Sequence, residues 1–429
     1  MGGQEAYQRA APLTRLPRAL KAGQKVPRLK LLIAIPAYNE EASIASIVER
    51  SLAARPRIVE ESPVTEVSVT VVSDGSVDRT VEIAQKYQGR IQLIAFPKNR
   101  GYGAAIQEAW RQSDAELLGF LDADGTCDPN FFVNLCRLME EKRADVVLGC
   151  RLTKDSRMPL LRRVGNVLFA VLLSFFSAKR VRDTASGMRV VRRSSLPKLL
   201  PLPDGMHFTP AMSARAILSP DLRIFEEEMP YHEREGQSKL RVLSDGVRFL
   251  RVIVEAAFLY RPSRPLGFLG TVFLLLALVL MLPPTLFYLQ HGRVLEWMIY
   301  RFVVVELLTT SGVLLLCASY LARRMVHLVL QLPDENLFFH AFVQRTLLRR
   351  SVLWTVVAAL LVGAAALVTP SFLELVRTGA TYEHWSRFIA ASLLASIAVT
   401  LVVTRVLDYS LDLLGERLSF LRAQGEPVA

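Results

Sequence analysis

The chain has 429 residues, is 51% hydrophobic and carries a formal net charge of +12 at pH 7. This length is enough for two or more domains. In a chain this apolar, the positive charge suits an anionic membrane surface or phosphorylated substrates, so we expect no nucleic-acid partner. The four cysteines lack paired spacing, which argues against a disulfide framework and against a zinc site.

Residues 1–28 are basic and contain Pro12, Pro17 and Pro27. Prolines at that spacing argue against one continuous helix, and no apolar segment of the kind found in secretory leaders opens the chain. We interpret this stretch as a basic tail. A weak contact with anionic lipid is the alternative.

From residue 29 to about residue 150, apolar stretches of strand length alternate with helical stretches. This alternation predicts a mostly parallel α/β sheet that is covered on both faces. Ligands of such sheets bind beyond the carboxyl ends of the strands. The predicted strands are 29–35, 67–72, 91–96, 117–121 and 145–149, and the predicted helices are 41–54, 78–87, 103–112 and 130–142.

The apolar run Leu117–Leu121 ends in two carboxylates, Asp122 and Asp124. Side chains alternate along a strand, so these two point the same way. Like charges this close repel each other unless a cation lies between them. Oxygen ligands suit Mg²⁺ or Mn²⁺, which also bind substrate phosphates. The pattern predicts a metal that holds a diphosphate, and a solvated Asp-rich turn is the alternative.

Three further polar clusters, residues 36–41, 73–78 and 98–103, each follow a predicted strand. The third contains Gly101 and Gly103 and leads into a predicted helix. Glycines allow close backbone approach, and a helix N-terminus attracts anions. Four such clusters in succession predict one ligand site at this edge of the sheet.

The four clusters resemble, in order and spacing, those of family 2 glycosyltransferases of GT-A fold. Within that family they most resemble the dolichol-phosphate mannose synthase and bactoprenol glucosyltransferase group, over about residues 29 to 240. The stretches that carry the resemblance are IPAYNEE (35–41), VVSDGSVDRT (71–80), NRGYGAAI (99–106) and LDADG (121–125). The resemblance implies a Rossmann-like α/β GT-A catalytic domain with a mostly parallel sheet.

The resemblance also implies site residues. A nucleotide diphosphate sugar would be bound by Pro36, Tyr38, Glu40, Val72, Asp74, Asp122, Ala123 and Asp124. Mg²⁺ or Mn²⁺ would be held by Asp122 and Asp124. Gly125 and Thr126 stand where the group often has Leu and Gln, so Thr126, water or the donor would complete the metal shell.

Later motifs resemble the family's acceptor site. Asp183–Arg189 (DTASGMR) is similar to its Asp-x-x-Ser-Gly-Phe-Arg, and 234–240 (REGQSKL) is similar to its Arg-x-Gly-Glu-Ser-Lys-Leu. The phosphate of a polyprenyl phosphate would be bound by Arg151, Arg162, Asn166, Arg234 and Lys239. Asp124, Arg151 and Asp183 would be catalytic, with Asp183 the candidate if a base acts. Independently of the resemblance, Arg suits bidentate phosphate binding and Lys acts as a point charge.

Four apolar runs, each near the roughly 20 residues that cross a bilayer, predict an all-α transmembrane domain. They are Leu266–Leu289, Phe302–Ala322, Ser351–Thr369 and Phe388–Thr404. Arginines concentrate before the first run, between the second and third, and after the fourth, which predicts that the N-terminal domain, central loop and C-terminus face the cytoplasm. The predicted organisation is a tail (1–28), a catalytic domain (29–240), an amphipathic juxtamembrane helix (241–265), a four-helix transmembrane domain (266–408) and a cytoplasmic tail (409–429).

Three shorter features accompany these runs. The apolar segment Val164–Phe176 is too short to span a bilayer, and predicts either an interfacial helix or a buried core helix. Residues 334–350 predict a cytoplasmic helix. Glu306 lies near the start of the second run, where a carboxylate can snorkel to the interface.

The sequence therefore predicts an inverting glycosyltransferase that moves a hexose from a nucleotide diphosphate sugar, of GDP-mannose or UDP-glucose type, to undecaprenyl or dolichyl phosphate at the cytoplasmic face of the cell (inner) membrane. Two alternatives stay open: a glycosyltransferase with a hydroxyl acceptor, and a non-catalytic membrane partner of lipid-linked sugar transport. Membrane spans of this kind often self-associate, and no motif demands a particular oligomeric state.

Overall fold

The computed structural model describes residues 29–153, 160–177, 179–231, 242–330, 349–380 and 384–424, with side chains of 160–162, 242–243 and 350 excepted. Seven strands of these residues form one sheet in the order β3-β2-β1-β4-β6-β5-β7. The strands are β1 Leu29–Ala37, β2 Val64–Ser73, β3 Gln92–Ala95, β4 Leu117–Phe120, β5 Val146–Cys150, β6 Arg189–Arg192 and β7 Ile224–Glu228. All neighbours are parallel except β6, which runs antiparallel to β4 and β5.

Twelve α-helices of the described residues follow or separate these strands. They are α1 Ile44–Glu61, α2 Thr80–Gln85, α3 Tyr102–Arg111, α4 Phe132–Glu141, α5 Leu160–Phe176, α6 Leu196–Leu199, α7 Phe208–Leu218, α8 Val242–Tyr260, α9 Ser263–His291, α10 Ile299–Leu330, α11 Arg350–Thr378 and α12 Trp385–Ala423.

The predicted mostly parallel α/β sheet is confirmed, and each predicted strand is present with shifted ends. Strands β6 and β7 were not predicted. In β6 only two apolar residues lie between Arg189 and Arg192, and β7 ends in three glutamates at the sheet edge. Such short or charged segments lack the apolar run by which a buried strand is recognised.

The sheet is covered on both faces, as a parallel sheet must be. On β1, Leu31, Ile33 and Ile35 pack into one core with α1 and α4. Leu32 and Ala34, which point the opposite way, pack into a second core with α3 and α7. Burial of each large apolar side chain contributes about 1.5–3 kcal/mol. These two cores fix where the carboxyl ends of the strands lie.

The predicted apolar segment before β6 forms helix α5, and the predicted amphipathic segment forms α8. The rings of Phe169 on α5 and Phe249 on α8 meet edge to face, with centroids 6.0 Å apart. Helix α5 also reaches the start of α9, where Arg264 donates a hydrogen bond to the carbonyl oxygen of Phe175. The two helices thus adjoin the first long apolar helix.

Four helices, α9 to α12, are long and apolar enough to cross a membrane. Helix α10 packs on α9 and on α12, and α12 also packs on α11. Helices α10 and α12 continue past the predicted runs, to Leu330 and Ala423. The apolar signal stops at charged residues there, but charged residues are compatible with helix when they pair along it or across it. The predicted helix 334–350 lies outside the described residues, apart from its last two.

A polar cluster joins α10 to α12 at this point. The Tyr320 hydroxyl donates to Asp408 Oδ1 at 2.9 Å, and Arg405 Nη1 donates to Asp408 Oδ2 at 2.7 Å. Arg324 bonds Asp412 and lies 3.7 Å from Asp408. Asp408 is only 4% exposed. A buried carboxylate with several donors fixes the relative position of the two helices.

Replacement of Asp408 by Ala is expected to lower the thermal unfolding midpoint of the detergent-solubilised protein substantially. The variant leaves Arg405 and Tyr320 without their buried acceptor, and breaking a buried pair costs about 3–5 kcal/mol. Asp412→Ala is the control, because its side chain is 42% exposed and exposed pairs contribute about 0–1 kcal/mol. Equal midpoints for the two variants would contradict the assignment.

Candidate active site

The loops after β1 and β2 form one cross-linked unit. Pro36 and Val72 are direct neighbours in the β1–β2 register. Beyond them, the Asn39 N–H donates to Ser76 Oγ at 3.1 Å and the Glu40 N–H donates to Thr80 Oγ1 at 2.8 Å. The predicted nucleotide residues Pro36, Tyr38, Glu40 and Val72 therefore lie together at one edge of the sheet.

Asp74, predicted to frame the nucleotide, joins this unit to the loop after β3. Its carboxylate accepts hydrogen bonds from the backbone N–H groups of Arg100 (2.6 Å) and Gly101 (2.9 Å), and from Asn99 Nδ2 (2.9 Å). The side chain is 3% exposed. Asp74 therefore fixes the shape of the third cluster.

At the two glycines of the third cluster, the close backbone approach is made by another loop of the chain, and anion binding there stays a prediction. A Cβ atom on Gly101 would lie 2.4 Å from the carbonyl oxygen of Asp204, and one on Gly103 would lie 2.2 Å from that of Pro203. The Asp204 carbonyl also accepts the N–H of Ala104 in the first turn of α3. The loop that contains Pro203 and Asp204 therefore packs against this helix N-terminus, beside the Asp74 carboxylate.

Asp122 lies beyond β4 between two fixed neighbours. The Tyr102 hydroxyl donates to its Oδ1 at 2.7 Å, and its Oδ2 packs so closely on Gly187 that a Cβ there would come within 1.9 Å. Burial and the neighbouring carboxylate raise the pKa of Tyr102 well above 10. Tyr102 thus stays protonated and orients Asp122.

Asp124 is 6% exposed and accepts two hydrogen bonds on Oδ1 from Thr126, one from its hydroxyl at 2.7 Å and one from its N–H at 3.2 Å. Gly125 between them has φ of +73°, which glycine tolerates. Ala123 is also buried. This tight turn sets the direction in which the Asp124 carboxylate points.

The donor set at this loop is compatible with Mg²⁺ or Mn²⁺. It consists of oxygens only, from Asp122, Asp124 and Thr126, the type that these hard cations prefer. Within the described part of the chain, no third His, Cys, Asp or Glu side chain joins the two carboxylates. A bound cation would therefore take further ligands from water or from substrate phosphates.

Arg151, which follows β5, is held by Asp183. Its Nε and Nη2 donate to Asp183 Oδ2 and Oδ1 at 2.7 and 2.9 Å, and its own N–H donates to Oδ2 at 3.0 Å. Burial alone would raise the pKa of Asp183, but the Arg151 guanidinium outweighs burial and lowers that pKa below 3.8. Asp183 is thus an ionised, fully buried carboxylate.

Asn166 of α5 completes this cluster. Its Nδ2 donates to Asp183 Oδ1 at 2.6 Å, and its Oδ1 accepts from the hydroxyl and N–H of Thr184 at 2.9 and 3.1 Å. Both ends of the buried amide are therefore hydrogen-bonded. In the structure, Asn166 links α5 to the loop that contains Asp183. Its contact with a phosphate stays a prediction.

The loop 122–126, which contains Asp122 and Asp124, lies next to the cluster formed by Arg151, Asp183 and Asn166 (the Arg151 cluster). Gly187 packs on Asp122, and Ser186 Oγ of the same segment donates to the carbonyl oxygen of Gly149 at 2.5 Å. Arg189 is fully buried and donates to the backbone of the segment, to the carbonyl oxygens of Thr184 and Ser186. The segment 183–189 is therefore a rigid bridge between the two sites.

The side chains of three predicted phosphate-binding residues are not described in the structure. Arg234 and Lys239 lie outside the described residues, and Arg162 lies in the first turn of α5, where side chains are not described. Tyr231, which is described, has its ring 5.6 Å from the Arg151 guanidinium carbon.

Sequence reasoning did not single out Tyr102 or Tyr231. Tyr102 lies inside the third cluster, so its position was a usable signal, but its partner Asp122 is twenty residues away. No motif distinguishes Tyr231, and only the fold brings it to Arg151.

Comparisons with known proteins identify the family of this chain. The family model described as Glycosyl transferase family 2 matches residues 32–200, which contain all four strand-end clusters. The chain is 35% identical over 254 residues to the low-salt glycan biosynthesis hexosyltransferase of Haloferax volcanii, covering 58% of this chain and 59% of that protein. It is 34% identical over 229 residues to the dolichyl-phosphate hexose transferase of the same organism, covering 52% of this chain and 92% of that protein.

A third relative is the dodecaprenyl-phosphate galacturonate synthase of Rhizobium johnstonii, at 28% identity over 262 residues. The alignment covers 60% of this chain and 75% of that protein. The chain thus spans about three fifths of the first relative's length and most of the other two.

The Arg151–Asp183 pair predicts a pH dependence of stability. Because the folded pKa of Asp183 is lowered, its contribution is complete above its ordinary value of 3.8 and is lost only as the pH falls through the folded value. Asp183→Asn leaves Arg151 with a neutral partner and is expected to cost about 3–5 kcal/mol of unfolding free energy. The loss should be the same at pH 5 and pH 7.

Thermal unfolding of wild type and Asp183→Asn at several pH values measures this. Asp145→Asn is the control, because among the described residues the Asp145 carboxylate accepts from the neutral groups Ser195 Oγ and Arg223 N–H and from no charged group. If the difference in unfolding midpoint between wild type and Asp183→Asn disappears as the pH falls from 7 to 5, the pKa of Asp183 in the folded protein is raised and not lowered.

Proposed function

The chain belongs to glycosyl transferase family 2, and from that premise we propose that it transfers a hexose from a nucleotide diphosphate sugar to a polyprenyl phosphate at a membrane surface. Two relatives are named for dolichyl phosphate and dodecaprenyl phosphate. Both lipids present a charged phosphate on a long apolar tail. The proposed acceptor therefore needs cations and an apolar surface side by side.

One observation supports the proposal of a lipid acceptor: helix α5 has a polar residue on the side that faces the site and apolar residues on its outer side. On its inner side, Asn166 contacts Asp183, which holds Arg151. On its outer side, Leu168 and Val171 are 63% and 62% exposed. Exposed apolar patches of this kind mark contact surfaces. Arg151 and its partner Asp183 are therefore one helix away from a lipid-compatible surface.

Helix α8 extends this surface. Its Val247 and Phe258 are 69% and 46% exposed, and it packs on α5 and leads directly to α9, the first helix that could span a membrane. Continuity with a membrane-spanning helix favours lipid as the medium that covers these apolar side chains. The arginine distribution favours the cytoplasmic face of the cell (inner) membrane.

Asp122, Asp124 and Thr126 would hold Mg²⁺ or Mn²⁺ together with the donor diphosphate. When bound, such a cation would neutralise charge that develops on the leaving diphosphate. The rigid loops around Pro36, Val72 and Asp74 would bind the nucleoside. Tyr102 keeps Asp122 in one orientation, so that this part of the site is formed before substrate enters.

In the proposed reaction, an oxygen of the lipid phosphate forms a bond to the anomeric carbon of the hexose. The bond from that carbon to the distal phosphate of the donor breaks, the nucleoside diphosphate leaves with the electron pair, and the configuration inverts. A phosphate monoester has a second pKa of about 6 and is already ionised at pH 7, so no base is required. Arg151 would position the phosphate, with Asp183 orienting Arg151.

Purified protein with a radiolabelled nucleotide sugar and undecaprenyl or dolichyl phosphate is expected to give a chloroform-soluble labelled lipid in the presence of Mg²⁺ or Mn²⁺. Asp124→Asn should reduce turnover by about 10²-fold or more, because it removes a charged ligand of the reacting diphosphate. Asp128→Asn, whose oxygen caps the next helical turn, should stay near wild type. No labelled lipid from any common donor would overturn the proposal.

Tyr102→Phe is expected to reduce kcat/KM for the donor about tenfold, because Asp122 loses the hydroxyl that orients it. Tyr87→Phe is a matched control, since its hydroxyl bonds Glu49 at 2.7 Å on the surface and away from the four clusters. Steady-state kinetics with the two variants measures the effect. Similar kinetics for both would remove the positioning role of Tyr102.

A further inference from the structure

The loop that carries the second carboxylate is buried along its backbone. Ala123, Asp124, Gly125, Thr126 and Cys127 are all buried. Loops normally run over the surface, because a buried loop carries backbone N–H and carbonyl groups that have to find partners. Something must therefore satisfy this loop from the inside.

Arg50 of α1 supplies that partner. Its Nη1 donates to the carbonyl oxygen of Gly125 at 3.1 Å, and its Nη2 donates to that of Cys127 at 3.0 Å. Arg50 forms no ion pair with any carboxylate in the described part of the chain. The Arg50 guanidinium thus forms its hydrogen bonds with two backbone carbonyls of one loop.

We propose that Arg50 is a positioning residue for the donor site: it clamps the 125–127 backbone and thereby fixes where Asp124 points. The inference rests on the proposed function for the meaning of Asp124. Thr126, which holds Asp124 Oδ1 with its hydroxyl and its N–H, lies between the two clamped carbonyls. Movement of either carbonyl therefore moves Thr126 and, with it, the carboxylate.

The choice of arginine follows from geometry. A planar guanidinium presents two parallel N–H donors in a fixed fork, whereas a lysine ammonium is a single point on a flexible stem. The two carbonyls belong to residues two apart, on either side of Thr126. Arg50→Lys is therefore expected to retain one bond at most, and Arg50→Met none.

Helix α1 offers a matched control. Arg55 lies on the same helix and donates to one backbone carbonyl, that of Arg90, at 2.8 Å. Arg90 is in the connection between α2 and β3 and does not belong to any of the four clusters. Arg55→Met thus removes a comparable arginine–carbonyl contact without touching the Asp124 loop.

The loop contains its own reporter, Cys127, which is 1% exposed. A thiol reagent reacts with Cys127 only when the loop opens, and peptide mass spectrometry separates it from Cys136, which is 0% exposed in α4 of the same core. We expect Arg50→Met to accelerate labelling of Cys127 about tenfold or more relative to Cys136, with Arg50→Lys intermediate and Arg55→Met like wild type.

Mn²⁺ alone, added to the full-length protein in detergent, is the second arm of this experiment. It should slow labelling of Cys127 in wild type, and the half-protecting concentration should rise about tenfold in Arg50→Met. Equal Cys127 labelling in Arg50→Met and Arg55→Met would overturn the clamp. Faster labelling in Arg50→Met, with no Mn²⁺ response even in wild type, would support the clamp and overturn the metal part of the proposed function.

Discussion

Two carboxylates that follow a fully buried strand are the constraint on which the rest of the site depends. Asp122 and Asp124 lie two residues apart beyond β4, where like charges favour a cation between them. Donors reach this loop from three directions: Tyr102 from α3, Thr126 from the loop itself and Arg50 from α1. A site held in this way is formed before ligand arrives, which reduces the ordering cost of binding.

The antiparallel strand β6 brings the second half of the site to the first. Because β6 lies between β4 and β5 and runs against both, its start meets their ends at one edge of the sheet. The segment before β6 therefore touches Asp122 through Gly187 and Arg151 through Asp183. The carboxylate loop proposed for the metal and the Arg151–Asp183 pair thus share one rigid bridge, an arrangement that would hold the two substrates of the proposed reaction close together.

The parts of the fold predicted from the sequence are those with a local signal. The apolar strand runs, the polar cluster that ends in Asp124 and the apolar helices each show within a few residues of the chain. Contacts between distant residues had no such signal: Arg151 and Asp183 are 32 positions apart. The glycine at 101 was recognisable as permissive, but the group that approaches it, the Asp204 carbonyl, is set by the fold alone.

The paired state of Arg151 has a consequence for the acceptor. The Nε and Nη2 edge of its guanidinium faces Asp183, so a lipid phosphate bound there, as proposed, would contact the remaining edge and further cations. Arg234 and Lys239 are the further cations that the sequence predicts for this purpose. In the absence of substrate, Asp183 neutralises Arg151, so the empty site does not bury an unpaired charge. The proposed phosphate would then be bound by several cations, each of them only partly neutralised.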